Sequence, residues 1–397
     1  MNRNFQDFGL GHVNPPISDS AMYEFETGAE MTEMFETGIP GRFLYGRHLS
    51  PSNQLLAEAL AEMEGTEAAC VTATGMSAIA CILMHICEAG DEVVASRTVY
   101  GGTYALMGNL LPKFGVETHF VNMNDLNEVA RTVSAATKVL YCETLSNPLL
   151  AAPDIRGLAE IANLHGITLI VDNTFAPMVV RPGALGAHVV VHSLTKYVNG
   201  MGDHLGGAVC ASNEIIAGML DVNNGTSMLL GPTMDAQVSA SIRKNMQTLP
   251  IRMIQHSANA LAVTTALQDR GYAVVYPGLE SHPDHRRFAS MTESKYGFGG
   301  VFTLDCGSRE AADRFMQEMK RQDIGHLAVS LGFVQTLFSM PACSTSSEIP
   351  EEERDRMGLS TGFVRFSIGV EPDSAALANK IVSIAEQMLP TAKRKAG

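Results

Sequence analysis

The chain has 397 residues, 46% of them hydrophobic, and its 28 basic and 42 acidic residues leave a formal net charge of −14. This charge argues against a nucleic-acid partner, since such binding depends on basic residues that neutralise phosphates. The length favours one large α/β domain followed by a smaller domain. Because no apolar stretch approaches the length of a membrane span and the N-terminus lacks an apolar signal core, we expect a cytoplasmic protein without a membrane partner.

The first part of the chain alternates between helical and strand patterns. Ser50 and Pro51 begin a helix that Gly65 ends, a strand follows at 68–72, and Gly75 begins an apolar helix. Such alternation predicts a mainly parallel sheet covered on both faces. Further strands are predicted at 92–95, 116–121, 138–142, 167–171, 188–192 and 207–211, with helices near 102–113, 125–135 and 154–165.

The pattern changes in the last third of the chain. One long helix is predicted around 245–265, and a smaller α+β unit is predicted beyond about residue 270. We therefore predict three segments: an N-terminal arm at 1–48, an α/β domain at 49–245 and an α+β domain at 246–397. The arm has little core of its own, so we expect it to contact a neighbouring subunit. The seven cysteines form no Cys-x-x-Cys pair, which argues against a zinc site and against a disulfide framework.

The strand predicted at 188–192 leads into Ser193, Leu194, Thr195 and Lys196. A lysine at the end of a buried strand is partly desolvated, and desolvation favours its neutral, nucleophilic amine. The two hydroxyls beside it could hold a phosphate. An activated lysine beside a phosphate site is what pyridoxal 5′-phosphate needs, since it binds lysine as a Schiff base. The alternative is a surface lysine whose neighbouring hydroxyls merely cap a turn.

Two further strand ends carry groups that would suit this cofactor. Asp172 leaves a buried strand and needs a positive partner, which a protonated pyridine nitrogen would supply. Gly75 lies in a strand-to-helix turn whose backbone amides could bind an anion. Each feature alone also fits a plain turn or helix cap. Because ligands of open parallel sheets bind at the carboxyl ends of the strands, we expect these groups to share one site.

Nine sequence blocks, in order over about residues 40–375, resemble the Cys/Met-metabolism family of pyridoxal-phosphate enzymes. This family includes methionine γ-lyase, cystathionine lyases, cystathionine γ-synthase and homoserine-ester sulfhydrylases. The resemblance implies a three-layer αβα fold of the aspartate aminotransferase type (fold type I) and a homotetramer made of two catalytic dimers. The blocks are YGR (45–47), TGMS (74–77), YGGT (100–103), ET followed by NP (143–148), VDNT (171–174), SLTK (193–196), YPGL followed by HP (276–283), AVSLG (328–332) and VRFS (364–367).

The resemblance also implies a role for each matching residue. Lys196 would bind the cofactor covalently and then move protons, Asp172 would pair with the pyridine nitrogen, and Tyr100 would stack on the ring and protonate the leaving thiolate. Arg365 would bind the substrate carboxylate, a task suited to its bidentate fork. The other implied contacts are Gly75, Met76, Thr174, Ser193 and Thr195 to the cofactor, Tyr45 and Arg47 to its phosphate from a neighbouring subunit, and Ser330 and Asn147 to the substrate.

Within the family, the blocks LLGPTM (229–234) and STSSE (344–348) resemble those of plant-type methionine γ-lyases. We therefore expect conversion of methionine to methanethiol, 2-oxobutanoate and ammonia. Gly102 replaces a cysteine of bacterial methionine γ-lyases, Ser346 replaces a common histidine, and Phe333 adds bulk; these changes bear on the substrate far more than on the cofactor. The alternatives are a cystathionine γ- or β-lyase and a γ-replacement enzyme such as O-acetylhomoserine sulfhydrylase or cystathionine γ-synthase.

Two interpretations from other classes fit less well. The Ser193–Lys196 tetrad matches the Ser-x-x-Lys signature of penicillin-recognising hydrolases, but the Ser-Asp-Asn and Lys-Thr-Gly motifs of that class do not occur in the sequence. A non-catalytic protein on the same scaffold would be expected to lose Lys196, Asp172 or Arg365, and all three are present.

Overall fold

The computed structural model of the protein describes residues 12–39, 41–344, 352 and 358–390. Its larger sheet has seven strands in the order β1-β7-β6-β5-β4-β2-β3. Five neighbouring strands, β6, β5, β4, β2 and β3, are parallel to one another. In contrast, β7 is antiparallel to β6 and β1 is antiparallel to β7. The strands are β1 Ala68–Thr72, β2 Glu92–Ser96, β3 Glu117–Val121, β4 Thr137–Glu143, β5 Thr168–Asp172, β6 Val189–Ser193 and β7 Gly207–Ala211.

A second sheet of five strands lies in the last third of the chain, in the order β10-β11-β12-β9-β8. Its central strand β12 is antiparallel to both β11 and β9, whereas β10 is parallel to β11. This smaller sheet is therefore mixed. The α+β pattern predicted beyond about residue 270 is thereby confirmed. The strands are β8 Val274–Val275, β9 Val301–Asp305, β10 His326–Leu327, β11 Leu337–Ser339 and β12 Phe363–Ser367.

Helices cover both faces of the larger sheet and one side of the smaller sheet. Two apolar clusters occupy the two faces of the larger sheet, and a third fills the smaller unit. None of the helices in the described part of the chain has both the length and the apolar character of a membrane span. The helices are α1 Gly28–Glu36, α2 Pro51–Glu64, α3 Gly75–Ile86, α4 Gly101–Ala105, α5 Leu126–Thr132, α6 Ile155–His165, α7 Asn213–Leu220, α8 Thr226–Leu230, α9 Ala236–Met246, α10 Leu249–Asp269, α11 His285–Met291, α12 Arg309–Arg321 and α13 Ser374–Met388.

Local sequence accounts for the helix boundaries that shape the site. The Ser50 hydroxyl accepts a hydrogen bond from Asn53 N at the start of α2, and Gly65 ends this helix with φ of 73°. Thr74 and Ser77 form a capping box at the start of α3. The α/β fold class and a mainly parallel large sheet are confirmed.

The prediction of one continuous helix near 102–113 is wrong. The structure has the short helix α4, a π-helical turn at Leu106–Leu110 and a 3₁₀ turn at Leu111–Phe114. Gly108 weakens the helix, and Pro112 cannot donate the backbone hydrogen bond that would continue it.

Helix α10 is the long helix predicted around 245–265, and it begins and ends four residues later. Its Leu249 and Met253 pack into the core of the larger sheet, whereas Ala260, Val263 and Leu267 pack into the smaller core. This helix therefore connects the two units. The boundary at residue 245/246 stays a prediction.

Candidate active site

A cavity of about 470 Å³ opens at the carboxyl ends of the parallel strands. Residues from both sheets contribute to its wall, including the segment at 329–331 and Arg365 from the smaller unit. Polar and apolar side chains are mixed in this wall. The lining residues are Thr74, Gly75, Met76, Ile79, Tyr100, Glu143, Leu145, Asn147, Asp172, Thr174, Phe175, Ser193, Thr195, Lys196, Leu205, Val329, Ser330, Leu331, Ser344 and Arg365.

Lys196 lies in the turn that follows β6, and its Nζ donates a hydrogen bond of 2.8 Å to Ser330 Oγ. Burial, and to a lesser degree the positive charge of Arg365, lower the pKa of the lysine to about 8. A neutral amine is therefore far more accessible here than on an exposed lysine. This environment agrees with the sequence-based expectation of a desolvated, nucleophilic lysine.

Asp172 ends β5, the strand beside β6, and lines the same cavity. Its Oδ1 accepts a hydrogen bond of 2.9 Å from Thr174 N, and Tyr141 Oη lies 3.4 Å from its Oδ2. Burial raises the pKa of Asp172 despite these donors. A cation placed against this carboxyl would restore its charged form, which is the environment that a protonated ring nitrogen needs.

Glu143 is a second buried carboxyl of the wall, and no role was predicted for it. Its Oε1 accepts a hydrogen bond of 2.7 Å from Tyr100 N and its Oε2 accepts one of 3.2 Å from Asn147 N. Burial, followed by the nearby charge of Asp172, raises the pKa of Glu143 well above its usual value. The carboxyl thus holds the backbone of two site residues in place. Its position at the end of a buried strand, like that of Asp172, was the available signal.

The N-terminus of α3 and the end of β6 approach each other closely. A Cβ atom built on Gly75 would lie 2.7 Å from Ser193 Cβ, so only glycine fits here. The hydroxyl of Thr174 accepts a hydrogen bond of 2.8 Å from Ser193 N. Thr195 Oγ1 accepts one of 3.1 Å from Gly206 N. The first turn of α3 and these hydroxyls form a polar corner whose helix N-terminus favours an anion.

Arg365 reaches the cavity from β12 and is only 2% exposed. One terminal nitrogen donates to Asn147 Oδ1 at 2.8 Å and the other donates to Ser330 O at 2.9 Å. Burial lowers the pKa of Arg365 to about 10, and its buried Nε finds no hydrogen-bond partner among the described residues. A guanidinium in this state is suited to bind a carboxylate that enters the cavity.

Tyr45 and Arg47 lie outside this cavity. The Arg47 guanidinium donates a hydrogen bond of 2.7 Å to Met228 O, and its central carbon is 5.9 Å from the centre of the Tyr45 ring. Both residues line a separate surface hollow beside Thr233. The sequence-predicted set is thus brought together within one chain except for these two residues.

Three departures from the family pattern were expected to affect the substrate. A Cβ on Gly102 would lie 2.6 Å from Tyr100 Cε1 and 3.3 Å from Met76 Sδ, so Tyr100 occupies the space that a larger residue would need. Phe333 packs against Gly202 and does not line the cavity. Ser346, with most of the 344–348 block, lies outside the described residues.

A desolvated lysine, a buried carboxyl in the same cavity and a helix end that favours an anion fit the amine-reactive, ring-nitrogen and phosphate groups of pyridoxal 5′-phosphate. This arrangement defines a pyridoxal-phosphate-dependent enzyme. Comparison with known families is more specific. The model of the Cys/Met metabolism PLP-dependent enzyme family matches residues 2–378, and the chain belongs to this family. The predictions of the cofactor and of an enzyme of the carbon–sulfur lyase type are confirmed at the level of the family.

Similar proteins differ in the reactions that their names describe. The chain is 41% identical to "Methionine gamma-lyase" of Arabidopsis thaliana, covering 90% of this chain and 83% of the relative. It is 38% identical to "Cystathionine gamma-lyase" of Bacillus subtilis, covering 92% of each. The crystal structure of cystathionine gamma synthase from Xanthomonas oryzae pv. oryzae superposes with a TM-score of 0.87, 32% identity and 96% coverage of each chain.

Proposed function

We propose that this enzyme eliminates the thiol from methionine, as a methionine γ-lyase. The observation that carries the proposal is the distribution of charge in the cavity wall. Among the described lining residues, the charged side chains are Glu143, Asp172, Lys196 and Arg365. Glu143 accepts hydrogen bonds from backbone amides of the wall itself, and the other three side chains are assigned to the cofactor or to the substrate carboxylate. A methyl thioether needs no ionic partner, whereas cystathionine carries a second amino-acid head group that does.

The cofactor roles follow from the positions of the wall residues. Lys196 would hold pyridoxal phosphate covalently, Asp172 would face its ring nitrogen, and Tyr100 would lie against its ring. The phosphate would lie at the start of α3, near Gly75 and Met76, with the hydroxyls of Thr174, Ser193 and Thr195. When bound, the cofactor acts as an electron sink that makes the C–H bonds next to the substrate amine acidic.

The residues of the chain would do the remaining work. Arg365 binds the substrate carboxylate together with Asn147 and Ser330, which fixes the amino acid in the cavity. Lys196, freed when the substrate amine takes its place, removes and returns protons at the substrate carbons, a task that suits an amine with a pKa near the working pH. The Tyr100 hydroxyl protonates the departing thiolate.

We also propose that Tyr45 and Arg47 complete the phosphate site of a neighbouring subunit in a homotetramer. Tyr45 is 43% exposed although it is aromatic, and Leu229 and Leu230 beside the hollow are more than half exposed. A second copy of the chain would cover these apolar side chains. Six of the seven cysteines, Cys70, Cys81, Cys87, Cys142, Cys210 and Cys306, are buried and unbridged, which supports a cytoplasmic location.

The attachment point of the cofactor can be tested directly. Lys196→Ala should abolish turnover and the borohydride-trappable cofactor link, because no other lysine lines the cavity within the described residues. Lys138→Ala serves as the control, since Lys138 is exposed beside Asp91 and should not matter. Peptide mapping that places the reduced cofactor on Lys138 or another lysine would contradict the assignment.

The substrate is tested by a panel of methionine, homocysteine, cystathionine and O-acylhomoserine with sulfide. Both oxoacid and volatile thiol are measured for each compound. One missing contact to the second head group costs about 1–3 kcal/mol, so methionine or homocysteine should exceed cystathionine by about ten- to hundredfold in kcat/KM. A tenfold preference for cystathionine, or for acylhomoserine with sulfide, would overturn the γ-lyase proposal and leave the cofactor chemistry intact.

A further inference from the structure

Behind the cavity, on the far face of the larger sheet, lies a buried polar network that the proposed chemistry does not use. His192 Nε2 lies 2.7 Å from Glu64 Oε1, and both side chains are at most 1% exposed. The same Glu64 oxygen accepts a hydrogen bond of 3.1 Å from Asn173 Nδ2. Asn173 Oδ1 in turn accepts one of 2.8 Å from the Thr144 hydroxyl. We call Glu64, His192, Asn173 and Thr144 the rear network.

The rear network contains the chain neighbours of the residues that face the cavity. Successive side chains of a strand point to opposite faces, so a residue in the wall is adjacent to a residue on the far side. Three strands of the larger sheet end in this way, and in each case one neighbour lines the cavity while the other is fully or almost fully buried. The pairs are Glu143 with Thr144 after β4, Asp172 with Asn173 after β5, and Ser193 with His192 at the end of β6.

The network is costly for the fold. Glu64 is the last residue of α2, where the helix dipole disfavours a negative charge, and it is removed from water. Glu64 Oε2 and His192 Nδ1 find no hydrogen-bond partner among the described residues. Even buried ion pairs can often be replaced by apolar residues without loss of stability. Their use at this position is therefore explained better by the neighbouring site than by stability.

We propose that Glu64 and His192 are positioning residues that hold the ends of β5 and β6 in register, so that Asp172 and Ser193 face the cofactor correctly. The inference rests on the proposed cofactor roles of these two wall residues. Helix α2 supplies a fixed anchor, because Glu64 contacts the end of β6 through His192 and the end of β5 through Asn173. The charge of His192 also lowers the pKa of Asp172, although burial outweighs this effect.

The test compares three variants and one control. His192→Phe leaves Glu64 buried without its partner, whereas the double variant Glu64→Leu with His192→Phe replaces the pair by apolar side chains and spares the fold. Glu64→Gln keeps the size and an accepting oxygen. The control is His188→Phe, because His188 precedes the same strand β6 at its far end and bonds to Leu169 N and Asn163 Oδ1.

Three quantities are measured without substrate: the melting temperature of the cofactor-free protein, the dissociation constant of pyridoxal phosphate, and the visible spectrum of the bound cofactor. We expect His192→Phe and the double variant to weaken cofactor binding at least about tenfold and to change the spectrum. Glu64→Gln should stay within about threefold of the wild type. The control should bind the cofactor like the wild type.

A purely structural role gives a different pattern. If the double variant regains the wild-type melting temperature and also binds the cofactor with wild-type affinity and spectrum, the positioning role is overturned. The proposed attachment of the cofactor to Lys196 fails separately, through the Lys196→Ala test above. A wild-type protein that takes up no pyridoxal phosphate would overturn both.

Discussion

Lys196 acquires its reactivity from its surroundings and not from its own structure. The amine donates a hydrogen bond of 2.8 Å to Ser330 Oγ, and burial, followed by the charge of Arg365, lowers its pKa to about 8. An exposed lysine has a pKa of about 10.4 and is almost entirely protonated at neutral pH. The buried amine is therefore neutral, and so able to act as a nucleophile, at a lower pH than an exposed lysine.

This difference predicts how cofactor uptake depends on pH. Below pH 8, the neutral fraction of Lys196 and that of a free alkylamine both rise about tenfold per pH unit. Above pH 8, the neutral fraction of Lys196 levels off, whereas that of the alkylamine continues to rise. The rate at which the protein takes up the cofactor, divided by the rate at which the alkylamine reacts with it, should thus be constant below about pH 8 and fall above it. Stopped-flow absorbance of cofactor-free protein gives the first rate, and the alkylamine reference cancels the cofactor's own titration. A ratio that stays constant up to about pH 10 would contradict the lowered pKa.

Single residues of the site differed in how well the sequence predicted them. Lys196 and Asp172 follow buried apolar runs, so their local environment could be inferred from the chain around them. The contact between Lys196 and Ser330 joins residues 134 positions apart, and no local pattern indicates it. The hydrogen bond from Tyr100 N to Glu143 likewise joins residues 43 positions apart, whereas the one from Asn147 N is local.

At the scale of elements, the junction between α3 and β6 brings a helix start so close to a strand end that position 75 has no room for a side chain. Alanine at position 75 would place a Cβ atom 2.7 Å from Ser193 Cβ, so the helix start must move away from the strand end. Overpacking of this kind costs about 1–3 kcal/mol, and 1.4 kcal/mol corresponds to about tenfold in affinity. Gly75→Ala should therefore weaken pyridoxal phosphate binding about tenfold, measured by titration of the cofactor-free protein.

Gly28→Ala is the matched control for this variant. Gly28 is also the first residue of a helix, α1, and nothing lies within 4 Å of a Cβ built on it. Its replacement should leave cofactor affinity unchanged. Unchanged affinity in Gly75→Ala as well would show that the phosphate does not lie at this junction.

The elements were predicted where pattern and capping agree. The seven strands of the larger sheet and helices α2, α3 and α6 appear within a residue or two of their predicted positions. The segment at 102–113 was mispredicted because its apolar periodicity continues through Gly108 and Pro112, although the backbone does not remain α-helical there. The antiparallel pairing of β7 could not be read from its sequence, since a strand buried on both faces has the same composition in either direction.

At the scale of the whole molecule, the position of Tyr45 and Arg47 outside their own cavity predicts complementation between subunits. Lys196→Ala protein and Arg47→Ala protein should each be inactive or weak alone. Mixed dimers would contain one site with both wild-type residues, so activity should return to part of the wild-type value. The assay is turnover after subunit exchange, which is verified by native mass spectrometry. Exchange without recovery would argue that each chain builds its site alone.

The meeting of the two sheets at Ser330 has a consequence for which amino acids can react. Its hydroxyl accepts the hydrogen bond from Lys196, and its carbonyl accepts one from Arg365. One residue, with its backbone at φ of 115°, thus connects the amine that the substrate would replace to the guanidinium that we propose binds the substrate carboxylate. In an α-amino acid a single carbon separates the amine from the carboxylate, whereas a β-amino acid adds another carbon. Under the proposed function, this fixed spacing would favour α-amino acids whatever their side chain, and β-homomethionine would not satisfy both positions at once.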